Sequence, residues 1–543
     1  MNHLLIAPVV LPALVAPFII MALRYHIDLQ RVFSVASCVL LTVIAVALTA
    51  QAADGTVQVY ELGNWQAPFG IVLVLDRLSA LMVLLTAVLG LGVVLYAMGS
   101  GWDERGANFH ALFQFQLMGI MGAFLTGDAF NLFVFFEVLL IASYGLMIHG
   151  GGTRRFQAGV QYVVYNLIGS SLFLFALGTL YAVTGTLNMA DLAVRVAELP
   201  ASDTAILRVG AIMLLLVFAI KAALLPLHFW LPASYANAPL PVAALFAIMT
   251  KVGAYAILRM YTLVFAPDVP AAAGLMEAWL LPAALMTAAI GAFGVLGSRE
   301  IGHLAAFGAI TSVGTLLTAI SLFTPEAAAA AIYYIVHSTF TAAALFLIAD
   351  MVMERQGGEI TAKPVMAHSG LISALFFVAA IAMAGMPPLS GFLGKLLVLD
   401  AARDHALAPW VWAVILISSL VTILGLARAG TAIFWKSHGL DTPEDYVAEA
   451  PNPAPSTALT FVTVIGLLGL LGLYTVAAGP VMRYAEATAA DLFDRRAYVE
   501  TVLANRDRPV EDPNDAHSHD TFHHADHNED TYPQPDAQSE ESH

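Results

Sequence analysis

The chain has 543 residues, of which 59% are hydrophobic and only 11% charged, against about 25% charged in soluble domains. Its formal net charge of −16 is carried to a large extent by the C-terminal tail, and no basic patch suggests nucleic acid. The single cysteine, Cys38, excludes a thiol-held iron–sulfur cluster, a cysteine zinc site and an internal disulfide; no cofactor and no metal site are expected.

Apolar runs of about 18 residues or more recur from end to end, each long enough to cross a bilayer as a helix. The chain therefore reads as an all-α polytopic membrane protein. About fourteen transmembrane helices fall near 3–24, 31–51, 72–97, 108–126, 129–148, 161–183, 206–230, 236–264, 275–297, 301–323, 327–353, 369–400, 409–435 and 456–478. The first run lacks a basic n-region and is followed at once by further spans, so it reads as a retained helix and not a signal peptide. Lysine and arginine in short loops set orientation. With the N-terminus outside, the cytoplasmic loops hold ten of them (Arg24, Arg31, Arg105, Arg154, Arg155, Arg299, Arg355, Lys363, Arg428 and Lys436). The opposite loops hold three, Arg195, Arg208 and Arg403, so both termini are expected outside.

Two spans are interrupted by proline. In the seventh, Pro226 cannot donate to the carbonyl of Ala222, and Pro232 is expected to end the segment. In the twelfth, Pro387 and Pro388 leave the carbonyls of Met383 and Ala384 unpaired. Broken helices at matching positions of two halves point to an inverted-repeat transporter and its ion path, although prolines also kink membrane helices with no further meaning. Here each break has a membrane lysine beside it, Lys221 before Pro226 and Lys395 after Pro388.

Lysine is rare in this chain: there are five, and three lie inside apolar segments, Lys221, Lys251 and Lys395. Glu137, within NLFVFFEVLL, is a fourth charge at membrane depth. Left unpaired, the four would cost roughly 10–14 kcal/mol on insertion scales. A static Glu–Lys pair gluing helices together is the plain structural reading. Three lysines cannot all be neutralised by one mid-membrane glutamate, however. A lysine that alternates between a carboxylate partner and a dry, unpartnered state gains and loses a proton, and a row of such sites joined by water is a proton relay. His337, in YYIVHSTF, sits mid-span and can both accept and donate a proton, which suits a relay role between Lys251 and Lys395; the alternative is a hydrogen-bonded core histidine. His228 and His303 read as structural. Asp128, Asp350, Glu354 and Asp400 lie near span ends, as an entry, an exit or ordinary interfacial carboxylates.

Beyond residue 480 the composition changes. Residues 481–508 have the pattern of an amphipathic surface segment, and 509–543 read as a disordered acidic tail. The tail's His517, His519, His523, His524 and His527 could bind a metal weakly, but a solvated tail is the expectation.

At the blocks FNLFVFFEVLLIASYGL, FAIKAALLPLHFWLPASYANAPLPVAALFAIMTKVGAY, GHLAAFGAITSVG, YYIVHSTFTAAALFL and AGMPPLSGFLGKLLVL, the chain resembles the antiporter-like membrane subunits of respiratory complex I, membrane-bound hydrogenases and Mrp-type cation/proton antiporters. The resemblance spans roughly residues 70–435. Within that superfamily it is most similar to the D-type subunits of the Mrp-type multisubunit monovalent cation/proton antiporters, on VLDRLSALM, GKLLVL and DLFDRRAYVETVL. It implies N-terminal helices over 1–107, a first antiporter-like repeat over 108–264, a second over 275–435 and a C-terminal helix over 456–478. It also implies that Glu137, Lys221, Lys251 and Lys395 fill the family's glutamate, broken-helix lysine, bridging lysine and terminal lysine roles. The tenth span lacks a second mid-membrane glutamate, so the second half-channel would depend on Lys251 and His337.

The function implied is a proton-translocating subunit of a Na⁺(K⁺)/H⁺ antiporter, a secondary transporter and not an enzyme. Its partners would be the other Mrp subunits, in a bacterial cytoplasmic (inner) membrane. The alternatives are a pump subunit of complex I or a membrane-bound hydrogenase, and a non-transporting scaffold.

Overall fold

The computed structural model describes residues 2–200, 204–276, 279–439 and 457–506; the histidine-containing tail lies outside them. The molecule is a bundle of α-helices. In chain order these are α1 (Ala7–Ala22), α2 (Ile27–Ala52), α3 (Arg77–Gly99), α4 (Phe109–Leu125), α5 (Ala129–Met147), α6 (Thr153–Thr184), α7 (Met189–Glu198), α8 (Ala205–Ala222), α9 (Trp230–Asn237) and α10 (Leu240–Phe246). There follow α11 (Met249–Leu263), α12 (Leu280–Gly297), α13 (Ile301–Ser321), α14 (Pro325–Gln356), α15 (Ser369–Ala384), α16 (Ser390–Ala401), α17 (Ala408–Gly430), α18 (Ala458–Val476), α19 (Ala478–Phe493) and α20 (Arg495–Leu503). Among the described residues, eleven helical stretches are long and apolar enough to cross a membrane, α10 and α11 counting as one, and α1, α4 and α15 are shorter apolar helices. The chain is a multi-pass membrane protein.

Two strands precede α3, β1 (Gln58–Glu61) and β2 (Val72–Leu75), paired antiparallel with Gln58 opposite Leu75. The third span therefore starts later than 72. The apolar VLVL run, with β-branched Val72 and Val74, pairs as a strand with QVYE, and the helix begins only where Asp76 caps it, accepting from the backbone of Ser79 while Ser79 answers in a reciprocal capping box.

Asp128 caps α5 by accepting from the Asn131 backbone, and Thr324 caps α14 with Pro325 in its first turn. These caps fill donors that lipid cannot. The most deeply enclosed helices are α10–α11, α13 and α14, and these hold Lys251 and His337.

The seventh span breaks after Ala222 and resumes as α9 at Trp230. Pro232 thus opens the second half-helix and does not end the segment, because the first turn of a helix has no backbone donor to lose. Ala223 takes a left-handed conformation, the Leu224 amide reaches back to Ala219, and the Leu225 amide is held by Thr287 Oγ at 2.9 Å. The twelfth span breaks between Ala384 and Ser390. The eighth span is interrupted as well, without proline: at Ala247–Ile248 the amides bond three residues back, to Ala244 and Leu245, a 3₁₀-type tightening one residue before α11.

Among the described residues α19 and α20 follow α18, with Asp494 capping α20. They lie on the face that carries the β-hairpin, through Arg77–Asp491 at 2.6 Å, Asn505–Glu61 at 2.9 Å and Arg495–Asp268.

Candidate functional site: a row of buried lysines

The three lysines are all enclosed, Lys221 5% exposed, Lys251 0% and Lys395 6%, and no carboxylate lies within 4 Å of any of them among the described residues. Each is held by neutral oxygens. Lys221, at the last turn of α8, donates to Asn166 Oδ1 at 3.2 Å and lies over the Phe136 ring. Glu137 on α5 is half-buried and accepts from Ser170 Oγ. Asn166 and Ser170 stand one turn apart on α6, the spacing that puts two side chains on one helix face. The two charges are therefore linked through a polar edge of α6 and not by direct contact.

Among the described residues Lys251 has only a long contact with Thr250 Oγ, at 3.5 Å. Its helix packs unusually closely against the end of α8. A Cβ on Gly253 would stand 2.6 Å from the Ala222 nitrogen and 3.0 Å from the Lys221 carbonyl carbon, so only glycine permits this approach.

The second break is built around His337 and Lys395. His337, 1% exposed, pairs through Nδ1 with Ser390 Oγ at 2.9 Å, and Ala382, at the end of α15, offers it a carbonyl. It thus touches both sides of the break. Lys395 donates to the Ala384 carbonyl and to Ser419 Oγ, both at 2.8 Å. The Ala384 carbonyl is one that Pro388 cannot serve, and the lysine serves it. Gly385 (φ 75°) makes this possible: a Cβ there would meet Lys395 Cδ at 2.6 Å. His337 lies within electrostatic range of both Lys251 and Lys395.

The span-end groups divide. Asp350 is buried and accepts from Trp102 Nε1 at 2.9 Å and Tyr96 OH at 3.0 Å, beneath an Arg105–Glu354 pair at 2.7 Å. Asp400 pairs with Arg403, and His303 with Glu300 at 3.3 Å. His228, in the first break, is buried with Nδ1 unbonded among the described residues.

The structure adds groups that sequence reasoning passes over: Asn166, Ser170, Ser390 and Ser419 as partners, and a buried ion pair between Asp76 and Arg259 at 2.6 Å. The small polar residues give no individual signal in a membrane helix. Arg259 does give one, being a charge inside an apolar span.

With this geometry in place, comparison with known proteins is specific. Residues 126–424 match the transmembrane family model of NADH:quinone oxidoreductase/Mrp antiporter. A probable K(+)/H(+) antiporter D-type subunit from Rhizobium meliloti is 38% identical, over 93% of this chain and 98% of its own length. The Na(+)/H(+) antiporter D-type subunit of Alkalihalophilus pseudofirmus is 37% identical, over 93% of this chain and 100% of its own. A chain of the Mrp complex from Dietzia sp. DQ12-45-1b superposes with a TM-score of 0.81 at 27% identity, covering 93% of this chain and 100% of that one. This chain belongs to the NADH:quinone oxidoreductase/Mrp antiporter membrane-subunit family.

Proposed function

We propose that the chain is the proton-translocating subunit of a multisubunit Na⁺(K⁺)/H⁺ antiporter, a secondary transporter subunit and not a catalytic enzyme. The observation that carries this reading is the row of enclosed lysines, without carboxylate partners among the described residues and each close to an interruption of its helix. A buried charge held only by neutral oxygens is costly, and a group held in that way releases its proton when its solvation changes. Glu137 loads Lys221 across the Asn166–Ser170 edge of α6. The charge then passes to Lys251 and His337 and on to Lys395, with water filling the gaps. The relatives' names, one a potassium and one a sodium antiporter subunit, favour a monovalent cation as the exchanged ion. The partners are the other subunits of such a complex, and the partly exposed Glu137, among exposed Phe130, Val134 and Ile141, suits a contact with one of them.

Residues 108–264 and 275–435 are read as two inverted repeats, supported by the repetition of break and lysine. The orientation with both termini outside is supported by the way the basic loops gather. Arg31 pairs with Asp103 and Glu104, Arg105 with Glu354, Arg154 with Glu300, and Arg428 reaches the Ser298 carbonyl, which draws the loops rich in arginine onto one face.

The test is cation/proton exchange in everted vesicles carrying the complete complex. Glu137→Ala and Lys221→Ala should each lose exchange while the subunits still co-purify. Undiminished exchange in both would refute the relay. Activity that instead follows NADH oxidation and quinone reduction would assign the chain to a redox pump.

A further inference from the structure

Helix α11 is wholly buried, yet it carries one polar stripe: Lys251, Tyr255, Arg259 and Thr262, spaced four, four and three residues apart. That spacing keeps all four on one face, and the intervening positions are almost all apolar. Lys251 stands at the membrane-depth end of the stripe. At the other end, the Arg259 guanidinium holds Asp76 in a two-point pair, at 2.6 and 2.8 Å, and its Nε lies 3.4 Å from the Tyr255 hydroxyl. Beside this pair a cavity of about 60 Å³ runs beneath α19 and α20, lined by Asp76, Arg259, Thr262, Asp491, Asp494 and Tyr498 among others. It has room for a few water molecules and abundant partners to hold them.

We propose that this stripe and Asp76 form an aqueous port joining the lysine row to the face covered by α19 and α20, with the Asp76–Arg259 pair as its gate. The proposal rests on the relay reading above. Lys251 and Arg259 are eight residues apart, about 12 Å along the helix, too far for direct transfer but short for a chain of water passing the Tyr255 hydroxyl. A proton released by the Lys251 ammonium leaves a neutral amine. It reaches the Asp76 carboxylate through water and converts it to the acid, which loosens its hold on Arg259. Loss of that proton to cavity water restores the carboxylate–guanidinium pair. Arg259 stays charged throughout.

The lone cysteine makes the port testable. In the complete complex in vesicles, with Cys38→Ser as the parent, Thr262→Cys places a thiol in the cavity wall, and Ag⁺ is small enough to enter and bind it. Exchange in the Thr262→Cys complex should fall on adding Ag⁺ to the level of Lys251→Ala, while the parent is unaffected. Asp76→Asn, assembled with its partners, should exchange about a hundredfold more slowly, and Asp76→Glu should recover part of the loss. Insensitivity of Thr262→Cys to Ag⁺ would overturn the port. So would full exchange by Asp76→Asn while Lys251→Ala is inactive, a result that spares the relay. Full exchange by Lys251→Ala would instead remove the relay on which the port depends.

Discussion

Lys395 donates to the carbonyl oxygen of Ala384 at 2.8 Å, across the break that divides the twelfth span. Proline removes a helix donor, and here a lysine from the second half-helix replaces it with a proton that can leave. The break and the charge thereby depend on each other. When Lys395 is neutral it remains a donor, but the carbonyl loses a charge-assisted bond.

Lys395→Met should therefore remove more than a charge. It should abolish exchange, and it should leave the Ala384 carbonyl and Ser419 Oγ without this partner, costing about 1–3 kcal/mol. Thermal unfolding of the purified complex, read beside the vesicle assay, separates the two effects. Ser419→Ala, which removes one neutral acceptor, should slow exchange far less.

On the other side of the row, Asn166 and Ser170 are the groups between Lys221 and Glu137. Asn166→Leu should impair exchange more than Ser170→Ala, because Lys221 has no other hydrogen-bond partner among the described residues, whereas Glu137 keeps access to its surroundings. Initial exchange rates at matched assembly test the order. Equal, wild-type rates in both would mean that the edge of α6 does not join the two charges.

Gly253 offers a steric test. Any side chain there meets the backbone of α8 at Ala222 and Lys221, so Gly253→Val should push the helices apart at a cost of about 1–3 kcal/mol. Exchange should fall without the loss of any titratable group, and the melting temperature should drop with it.

Asp103, in the loop between α3 and α4, governs acid stability on the opposite face. Burial would raise its pKa, but hydrogen bonds from His110 and Arg31 and the Arg31 charge outweigh this and hold it below the usual 3.8. A carboxylate depressed in the folded state adds stability that is present above its unfolded value and lost as pH falls through the lower, folded one. The N-terminal helices should thus stay anchored from neutral pH down past about 3.8, detaching only in stronger acid. Asp103→Asn should lower stability by about 1.5–3 kcal/mol at neutral pH, seen in unfolding curves across pH.

Much of this is legible in the chain itself. The membrane class follows from hydropathy, because lipid admits few other ways to bury a backbone. Lys221, Lys251, Lys395, Glu137 and His337 announce themselves as polar groups in apolar surroundings. The breaks at Pro226 and Pro387–Pro388 are visible because proline has no amide hydrogen. The interruption at Ala247–Ile248 is not, since it comes from packing and no residue type marks it. Pro232 is misplaced by sequence reasoning because proline ends one helix and starts another with equal ease. The strand at 72–75 passes for helix because four apolar residues, two of them leucines that favour helix, stand directly before a span and look like part of it.

Sequence by itself determined that this chain crosses a membrane many times and keeps charges there, because both properties belong to residue types and their spacing along one chain. Tertiary structure decided how those charges are held: Lys221 by Asn166 and not by Glu137, Lys395 by the carbonyl of its own break, Arg259 by Asp76, the residue that caps α3 far away in sequence. Hydrogen-bond partners in a bundle come from whichever helix packs alongside, and that neighbourhood is a product of side-chain fit between distant segments, which no local pattern records.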